Sequence, residues 1–405
     1  MVQVAILGFG TVGSGVAEVL TGHEESITHK IKDRIGLKYI LDVREMPDSP
    51  FAERFVKDFS VIENDPEVDI VVETIGGATA ALDFTVRALK AGKSVITSNK
   101  ELVATHGYEL LQLAKEHKVS YLFEASVGGG IPIIRPLSQC LAANEILEIC
   151  GILNGTTNYI LTRMIRAGLS FDAALKEAQD NGYAERDPSA DIEGHDACRK
   201  ICILAALAFG RHIYPEQVNT QGITSVTLSD VDYADAAGKK IKLLGRAMKD
   251  QATGKVCAYV APHLVDVSNP LSGVEDVFNG IAVKGDAIGD VMFYGRGAGK
   301  LPTASAVVAD VIDAAKHINS RKYLEWAEGG EDVTQPVDGL ASRWYVRAKG
   351  TNDYLRAMLG DVEALARRGS GEDEVACITV HSMTRAELDS KLQGMEVCSV
   401  MRVLD

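Results

Sequence analysis

Short apolar runs alternate with amphipathic stretches through the first third of the chain. Val2–Leu7 is rich in β-branched residues and ends in glycines; Leu37–Leu41, Val68–Glu73, Ser94–Thr97 and Tyr121–Glu124 read as further strands. Ser14–Leu20, Leu82–Ala91 (stopped by Gly92) and Gly107–His117 read as the helices between them. Strands buried on both faces show as continuous apolar runs, and intervening helices imply a parallel sheet. Residues 1–133 are therefore expected to form an α/β, doubly wound, Rossmann-type domain.

The rhythm changes around Gly128–Gly130. Residues 134–302 carry longer elements and irregular, glycine-containing connections, as expected of an α+β domain. Residues 303–322 read as a helix that packs back on the first domain, and the acidic residues 323–340 as a linker. The remainder, 341–405, reads as a small α+β domain. Its strands are Trp344–Lys349, Glu374–His381 and Val397–Leu404, with a helix at Arg385–Leu392.

Composition narrows the classes. Of 405 residues, 46% are hydrophobic and 24% charged, which excludes a disordered chain, a collagen-like fibre and a small disulfide scaffold. Lys plus Arg total 42 against 56 Asp plus Glu, a net charge of −14. So acidic a chain is a poor partner for nucleic acid or an anionic membrane, though a local basic pocket for an anionic cofactor stays open. The seven cysteines are scattered without a CxxC pair, which favours a reducing compartment and argues against structural zinc. The most apolar run, Ile201–Gly210, is far shorter than the ~20 residues of a membrane span. No basic and then apolar leader opens the chain, so a cytoplasmic location is expected.

Gly8, Gly10 and Gly13 form GxGxxG directly after the first strand. The first glycine permits a tight turn, the second lets backbone approach a pyrophosphate, and the third allows close helix–strand packing. Gly8, Phe9, Gly10, Thr11, Val12 and Gly13 are thus the expected phosphate cradle of NADP or NAD, at a helix N-terminus. The second strand ends in Asp42-Val43-Arg44-Glu45. An acid there would hold the ribose of NAD, and an arginine the 2′-phosphate of NADP. Arg44 is assigned to that phosphate, with NAD not excluded. Thr74 and Ser98 follow the next two strands and are further candidate cofactor contacts.

The segment Ala178–Lys200, AQDNGYAERDPSADIEGHDACRK, is similar over its full length to the signature of homoserine dehydrogenases. The matching positions are Ala178, Gly182, Tyr183, Asp187, Pro188, Asp191, Gly194, Asp196 and Lys200. The blocks Thr97–Lys100, Glu124–Pro132, Asn154–Asn158 and Gly295–Ala309 agree, and the resemblance covers roughly residues 1–325. It implies the reaction L-aspartate 4-semialdehyde + NAD(P)H ⇌ L-homoserine + NAD(P)+. It also implies a homodimer or larger homo-oligomer.

Asp196 and Lys200, at i and i+4, share a helix face. Lys200 stands at the entrance to the apolar stretch Ile201–Phe209, where desolvation favours a lowered pKa. Hydride delivered to an aldehyde leaves a developing alkoxide that a nearby ammonium stabilises and protonates. Lys200 is therefore assigned as general acid, with Asp196 orienting it or holding the substrate hydroxyl. Lys100, near the carboxyl end of a strand, is a second catalytic or positioning lysine and a cofactor contact. Glu185 suits the substrate α-ammonium, with Asp191 the alternative; Tyr183, Thr156 and Gly182 complete the expected substrate contacts. His195 points elsewhere on its helix.

Glu124-Ala-Ser-Val127-Gly-Gly129-Gly-Ile131 resembles the family's monovalent-cation loop, which implies sodium at Glu124 and at the carbonyls of Val127, Gly129 and Ile131. Gly297, in the second glycine cluster, is expected to leave room for cofactor. Residues 341–405 resemble in part the regulatory ACT domain of the family. Its usual acid and Pro-Gly turn is replaced by Lys349-Gly350-Thr351-Asn352-Asp353, and one strand is expected to be lost around Asp361–Arg368. The apolar strand Val397–Leu404 then has to pack on a dimer mate or on the core. The alternatives are another semialdehyde or amino-acid dehydrogenase of the aspartate pathway, whose thioester chemistry would require a cysteine nucleophile, and a non-catalytic sensor.

Overall fold

A computed structural model describes residues 1–320, 323–366 and 374–404, in two compact units. The first comprises residues 1–145, 202–215 and 295–329; the second 146–201, 216–294 and 330–405.

The first unit holds a six-stranded sheet. In spatial order its strands are Phe55–Val56, Ile35–Leu41, Val2–Leu7, Val68–Glu73, Ser94–Thr97 and Tyr121–Leu122, and every pairing is parallel. Strand order reverses between Val2–Leu7 and Val68–Glu73, whose ends, Leu7 and Glu73, lie side by side. Such a switch point opens a crevice beyond the carboxyl ends of the strands. Helices Thr11–Gly22, Thr79–Lys90 and Lys100–Glu116 make crossovers.

Some boundaries differ from those the pattern suggests. The helix expected from Gly107 begins at Lys100, because the Asn99 side chain accepts from the Leu102 amide and caps it. Tyr121–Glu124 is a strand only to Leu122 and then turns into a 3₁₀ segment, Glu124–Ser126. Glu24–Ile31, Phe55–Val56 and Phe59–Glu63 are too short to show a period. The returning helix runs Lys300–Lys316, rather than 303–322, whose last two positions lie outside the described residues. Its Val307 and Val311 are buried in one cluster with Val4, Ile6 and Val16, so a late segment completes the first core.

The second unit is built on a ten-stranded mixed sheet. Its order runs Gly289–Arg296, Phe278–Gly285, Ile146–Ile152, Lys239–Lys249, Val256–Asp266, Val397–Leu404, Trp344–Lys349, Glu374–Thr379, Val362–Leu365, with Asn219–Thr220 also pairing Val256–Asp266.

The C-terminal segment therefore does not stand apart. Its final strand pairs in parallel with Val256–Asp266, His263 opposite Arg402 and Val265 opposite Leu404, and so continues the sheet. That pairing satisfies an apolar strand that would otherwise leave open edges. The expected strand loss is also overturned: Val362–Leu365 pairs antiparallel with Glu374–Thr379, giving a complete βαββαβ unit. Positions 367 and 368 of that expected gap lie outside the described residues. A buried ion pair keys the segment in place. The Arg347 guanidinium donates to Asp230 at 2.8 Å and to Glu374 at 3.0 Å, and the Tyr345 hydroxyl donates to Asp230 at 3.0 Å. Residues 323–340 are not a loose linker either. Trp326 donates from its indole to His212 in the first unit at 3.0 Å, while Val333 and Val337 are buried in the second.

Candidate active site

The phosphate turn is shaped by hydrogen bonds that leave its open face to a ligand. The Gly8 amide donates to the Leu41 carbonyl at 2.8 Å, and the Thr74 hydroxyl donates to the carbonyls of Leu7 and Gly8 at 3.0 and 2.9 Å. Gly8 has φ +89°, a conformation that favours glycine. A Cβ on Gly13 would overlap the Gly8 carbonyl oxygen, whereas a Cβ on Gly10 would meet nothing within 4 Å. Helix Thr11–Gly22 starts at Gly10 without a side-chain cap. Bare helix amides over open space suit a pyrophosphate. The residues present fit a dinucleotide.

Asp42 closes one side of this turn. Its carboxylate accepts from the Phe9 amide at 2.7 Å, from the Arg44 amide at 3.0 Å, and from Arg44 Nε and Nη2 at 2.9 and 2.8 Å. The Arg44 guanidinium holds Asp42 far below the usual carboxylate range. Ser98 is half-buried, and Lys100 is the first residue of the capped helix rather than a loop lysine.

In the second unit, strand Ile146–Ile152 leads to Asn154, which caps helix Gly155–Ala167 by accepting from the Thr157 amide at 2.8 Å. Asn154 Nδ2 donates both to Asp191 at 2.6 Å and to Asp196 at 2.8 Å. Lys200 donates to Asp196 Oδ2 and to the Leu153 carbonyl, each at 2.7 Å. Asp196 and Lys200 are only 3% and 7% exposed, so this is no solvated surface pair. Burial pushes Asp191 above the ordinary carboxylate range, and the charge of Asp196 adds to the shift.

Beside this cluster the Thr156 hydroxyl donates to the Tyr183 carbonyl at 2.8 Å. Gly182 has φ +74°, turning the chain after helix Phe171–Asp180 into an exposed loop that carries Tyr183 and Glu185. Asp187 accepts from the Ser189 amide at 3.2 Å and closes a turn. His195 is exposed, 3.2 Å from Glu193.

The glycine loop after Glu124 belongs to the first unit. Glu124 is buried and accepts from the amides of Ile133, Ile134 and Arg135 at 2.6, 2.8 and 2.9 Å. No described residue donates a hydrogen bond to the carbonyls of Val127, Gly129 or Ile131, though Val127 and Ile131 are each 1% exposed. Buried carbonyls without donors are the kind of oxygen ligand a hard cation takes. Gly297 is buried against this loop: a Cβ on Gly129 would overlap the Gly297 carbonyl.

Comparison with known proteins decides the family. A family model described as the NAD binding domain of homoserine dehydrogenase matches residues 8–124, and one described as homoserine dehydrogenase matches residues 132–312. The chain is 41% identical to homoserine dehydrogenase of Bacillus subtilis over 99% of this chain and 96% of the relative. The chain belongs to the homoserine dehydrogenase family. The crystal structure of a homoserine dehydrogenase from Thiobacillus denitrificans superposes with a TM-score of 0.91 at 34% identity, covering 100% of this chain and 98% of that one. A hyperthermophilic archaeal homoserine dehydrogenase in complex with NADPH matches with a TM-score of 0.68 at 29% identity, covering 80% of this chain and 99% of that one.

As a homoserine dehydrogenase it is an NAD(P)-dependent oxidoreductase acting on a CH–OH group, with a small-molecule substrate. The structure brings together Asp191, Asp196 and Lys200, and places Thr156 against Tyr183. Two groups went unassigned from the sequence. One is Asn154, the donor that ties both carboxylates together; an Asn-Gly-Thr-Thr block straight after an apolar strand is a legible helix cap. The other is the Leu153 carbonyl, which no side-chain motif can announce. Of the thiols a thioester route would need, burial pushes Cys150 up to about 12 and Cys198 and Cys202 are buried, while Cys140 and Cys398 are exposed. Among the described residues, no helix is long and apolar enough to cross a membrane.

Proposed function

We propose that Lys200 is the general acid for reduction of aspartate semialdehyde and the base for oxidation of homoserine. The carrying observation is its buried ammonium, held by both Asp196 and the Leu153 carbonyl near the start of helix His195–Phe209. Bound NADPH supplies the hydride. The ammonium stabilises the negative oxygen as it develops and donates Nζ–H to it. Asp196 orients the lysine, and Asn154 holds Asp196 by a neutral donor. Glu185 pairs with the substrate α-ammonium, with Asp191 the alternative, and Tyr183, Thr156 and Gly182 line the substrate. Lys100 is the second lysine of the reaction.

Cofactor choice follows from Asp42. A carboxylate offers about four acceptor positions, and the Phe9 amide with three Arg44 N–H groups uses that number. The acid is thus committed to Arg44 rather than to a ribose hydroxyl, and Arg44 is presented to a 2′-phosphate. The reading is NADP, supported by the NADPH-bound archaeal relative. Sodium at Glu124, Val127, Gly129 and Ile131 would fix the glycine loop without entering the chemistry. The edge strand Gly289–Arg296 exposes Tyr294, in keeping with a homo-oligomer. Oxidation of NADPH and of NADH with aspartate semialdehyde tests the whole reading. NADPH oxidation should be the faster; no turnover with either would overturn it. Glu185→Gln should raise KM for homoserine with little change in kcat.

A further inference from the structure

The ends of strands Val68–Glu73 and Ser94–Thr97 share a buried acid that the mechanism leaves unused. Glu73 is 0% exposed, with no cationic partner among the described residues. Its Oε1 accepts from the Ile75 amide at 2.7 Å, and its Oε2 from the Thr97 hydroxyl at 2.6 Å. The Thr97 hydroxyl oxygen accepts in turn from the Asn99 amide at 2.9 Å. Asn99 Oδ1 accepts from the Leu102 amide at 3.1 Å, and Asn99 Nδ2 donates to the Gly77 carbonyl at 2.6 Å. One chain of hydrogen bonds therefore runs from the carboxyl group to the cap of helix Lys100–Glu116, whose first residue is Lys100. The same carboxyl group holds the start of the loop 74–77, where Thr74 bonds the phosphate turn and Gly76 and Gly77 both have positive φ.

Burying an acid away from water is expensive, and burial pushes Glu73 above the ordinary carboxylate range. An apolar residue would avoid that cost, but it would strip the Ile75 amide and the Thr97 hydroxyl of their acceptor. An acid here ties two loops of the cofactor crevice to one point. Two glycines with positive φ leave the loop 74–77 little rigidity of its own.

We propose that Glu73 is a positioning residue: through Thr97 and Asn99 it sets the place and direction of Lys100. This rests on the reading of Lys100 as the second lysine of the reaction.

The test is a set of kinetic cycles on the full-length enzyme, with thermal melting as a check on folding. Glu73→Gln and Thr97→Val should each lower kcat by about tenfold to a hundredfold, the scale of a small misplacement of a reacting group. Thr97→Ser keeps the hydroxyl relay and should restore turnover. Neither loss should add to that of Lys100→Met, so Glu73→Gln with Lys100→Met should turn over like Lys100→Met alone. A merely structural Glu73 gives losses that multiply, and multiplication would overturn the proposal. So would wild-type turnover in Thr97→Val. If Glu73→Gln does not fold, Thr97→Val and Thr97→Ser carry the same cycle. Wild-type turnover in Lys100→Met would sink the reading of Lys100, and this proposal with it. A defective Lys100→Met with multiplying losses sinks the proposal alone.

Discussion

The phosphate turn and the lysine cluster are built on opposite principles. Phe9–Val12 with its flanking glycines is one contiguous stretch, and its working parts are amides, a bare helix start and missing side chains. The cluster in the second unit gathers Leu153, Asn154, Asp191, Asp196 and Lys200 from separate segments, 37 and 42 residues apart for the two bonds of Asn154. Its working parts are side-chain charges that hold each other out of water. A backbone site fails when any atom is added, whereas a side-chain site fails when one partner is taken away.

The largest effect is therefore expected from deletion in the cluster. Lys200→Ala should cut kcat by about 10²–10⁴, the usual scale for a general acid, while NADPH still binds. Near-normal turnover would show that the buried pair is scaffolding. In the turn, addition should do the damage instead. Gly13→Ala forces a Cβ onto the Gly8 carbonyl and should weaken NADPH by about tenfold to a hundredfold, from ~1–3 kcal/mol of overpacking. Fluorescence titration reads this directly, and unchanged affinity would mean that the turn rearranges freely.

Asn154 sharpens the contrast, because it does two jobs. Asn154→Ala loses both the donor and the cap, at ~1 kcal/mol of stability for the cap. Asn154→Asp keeps a capping oxygen but places a third carboxylate beside Asp191 and Asp196. The aspartate should melt higher than the alanine yet turn over about tenfold more slowly, since like charges raise the neighbouring carboxyls. Equal kcat in the two would show that the donor does not matter. The smallest effect belongs to an exposed side chain at the edge of the turn. Arg44→Ala should weaken NADPH several-fold to about tenfold, on the scale of one charge-assisted contact at ~1.4 kcal/mol, and leave NADH nearly unchanged. Equal losses would remove Arg44 from the 2′-phosphate.

Legibility followed the same division. The strands Val2–Leu7, Val68–Glu73 and Ser94–Thr97 could be read to the residue, because burial on both faces writes an unbroken apolar run. Helix periodicity puts Asp196 and Lys200 on one face, but the spacing alone equally fits a surface ion pair; the resemblance to the family signature is what marks them as candidate site residues. The start of helix Lys100–Glu116 was missed by seven residues, since its first turn is set by the Asn99 cap and not by a hydrophobic stripe. The complete C-terminal βαββαβ unit is not legible because Val362–Leu365 is only four residues long, and only Leu365 of the four is buried.

Sequence alone determined the phosphate turn, the parallel sheet around it, the reaction through its spaced signature, and the pairing of Asp196 with Lys200. The turn and the ion pair are local, carried by residues within a few positions of each other; the strands show as unbroken apolar runs, and the reaction is implied by resemblance over residues 178–200. Tertiary structure alone decided that Val397–Leu404 joins Val256–Asp266, that Arg347 pairs with Asp230, and that Asn154 bridges Asp191 and Asp196. It also decided that Asp42 is spent on Arg44 and the Phe9 amide. The physical reason is the same each time. A strand edge, a buried charge or an amide hydrogen must find a partner, but many positions in the chain offer the right chemistry. Only packing brings one of them within 3 Å.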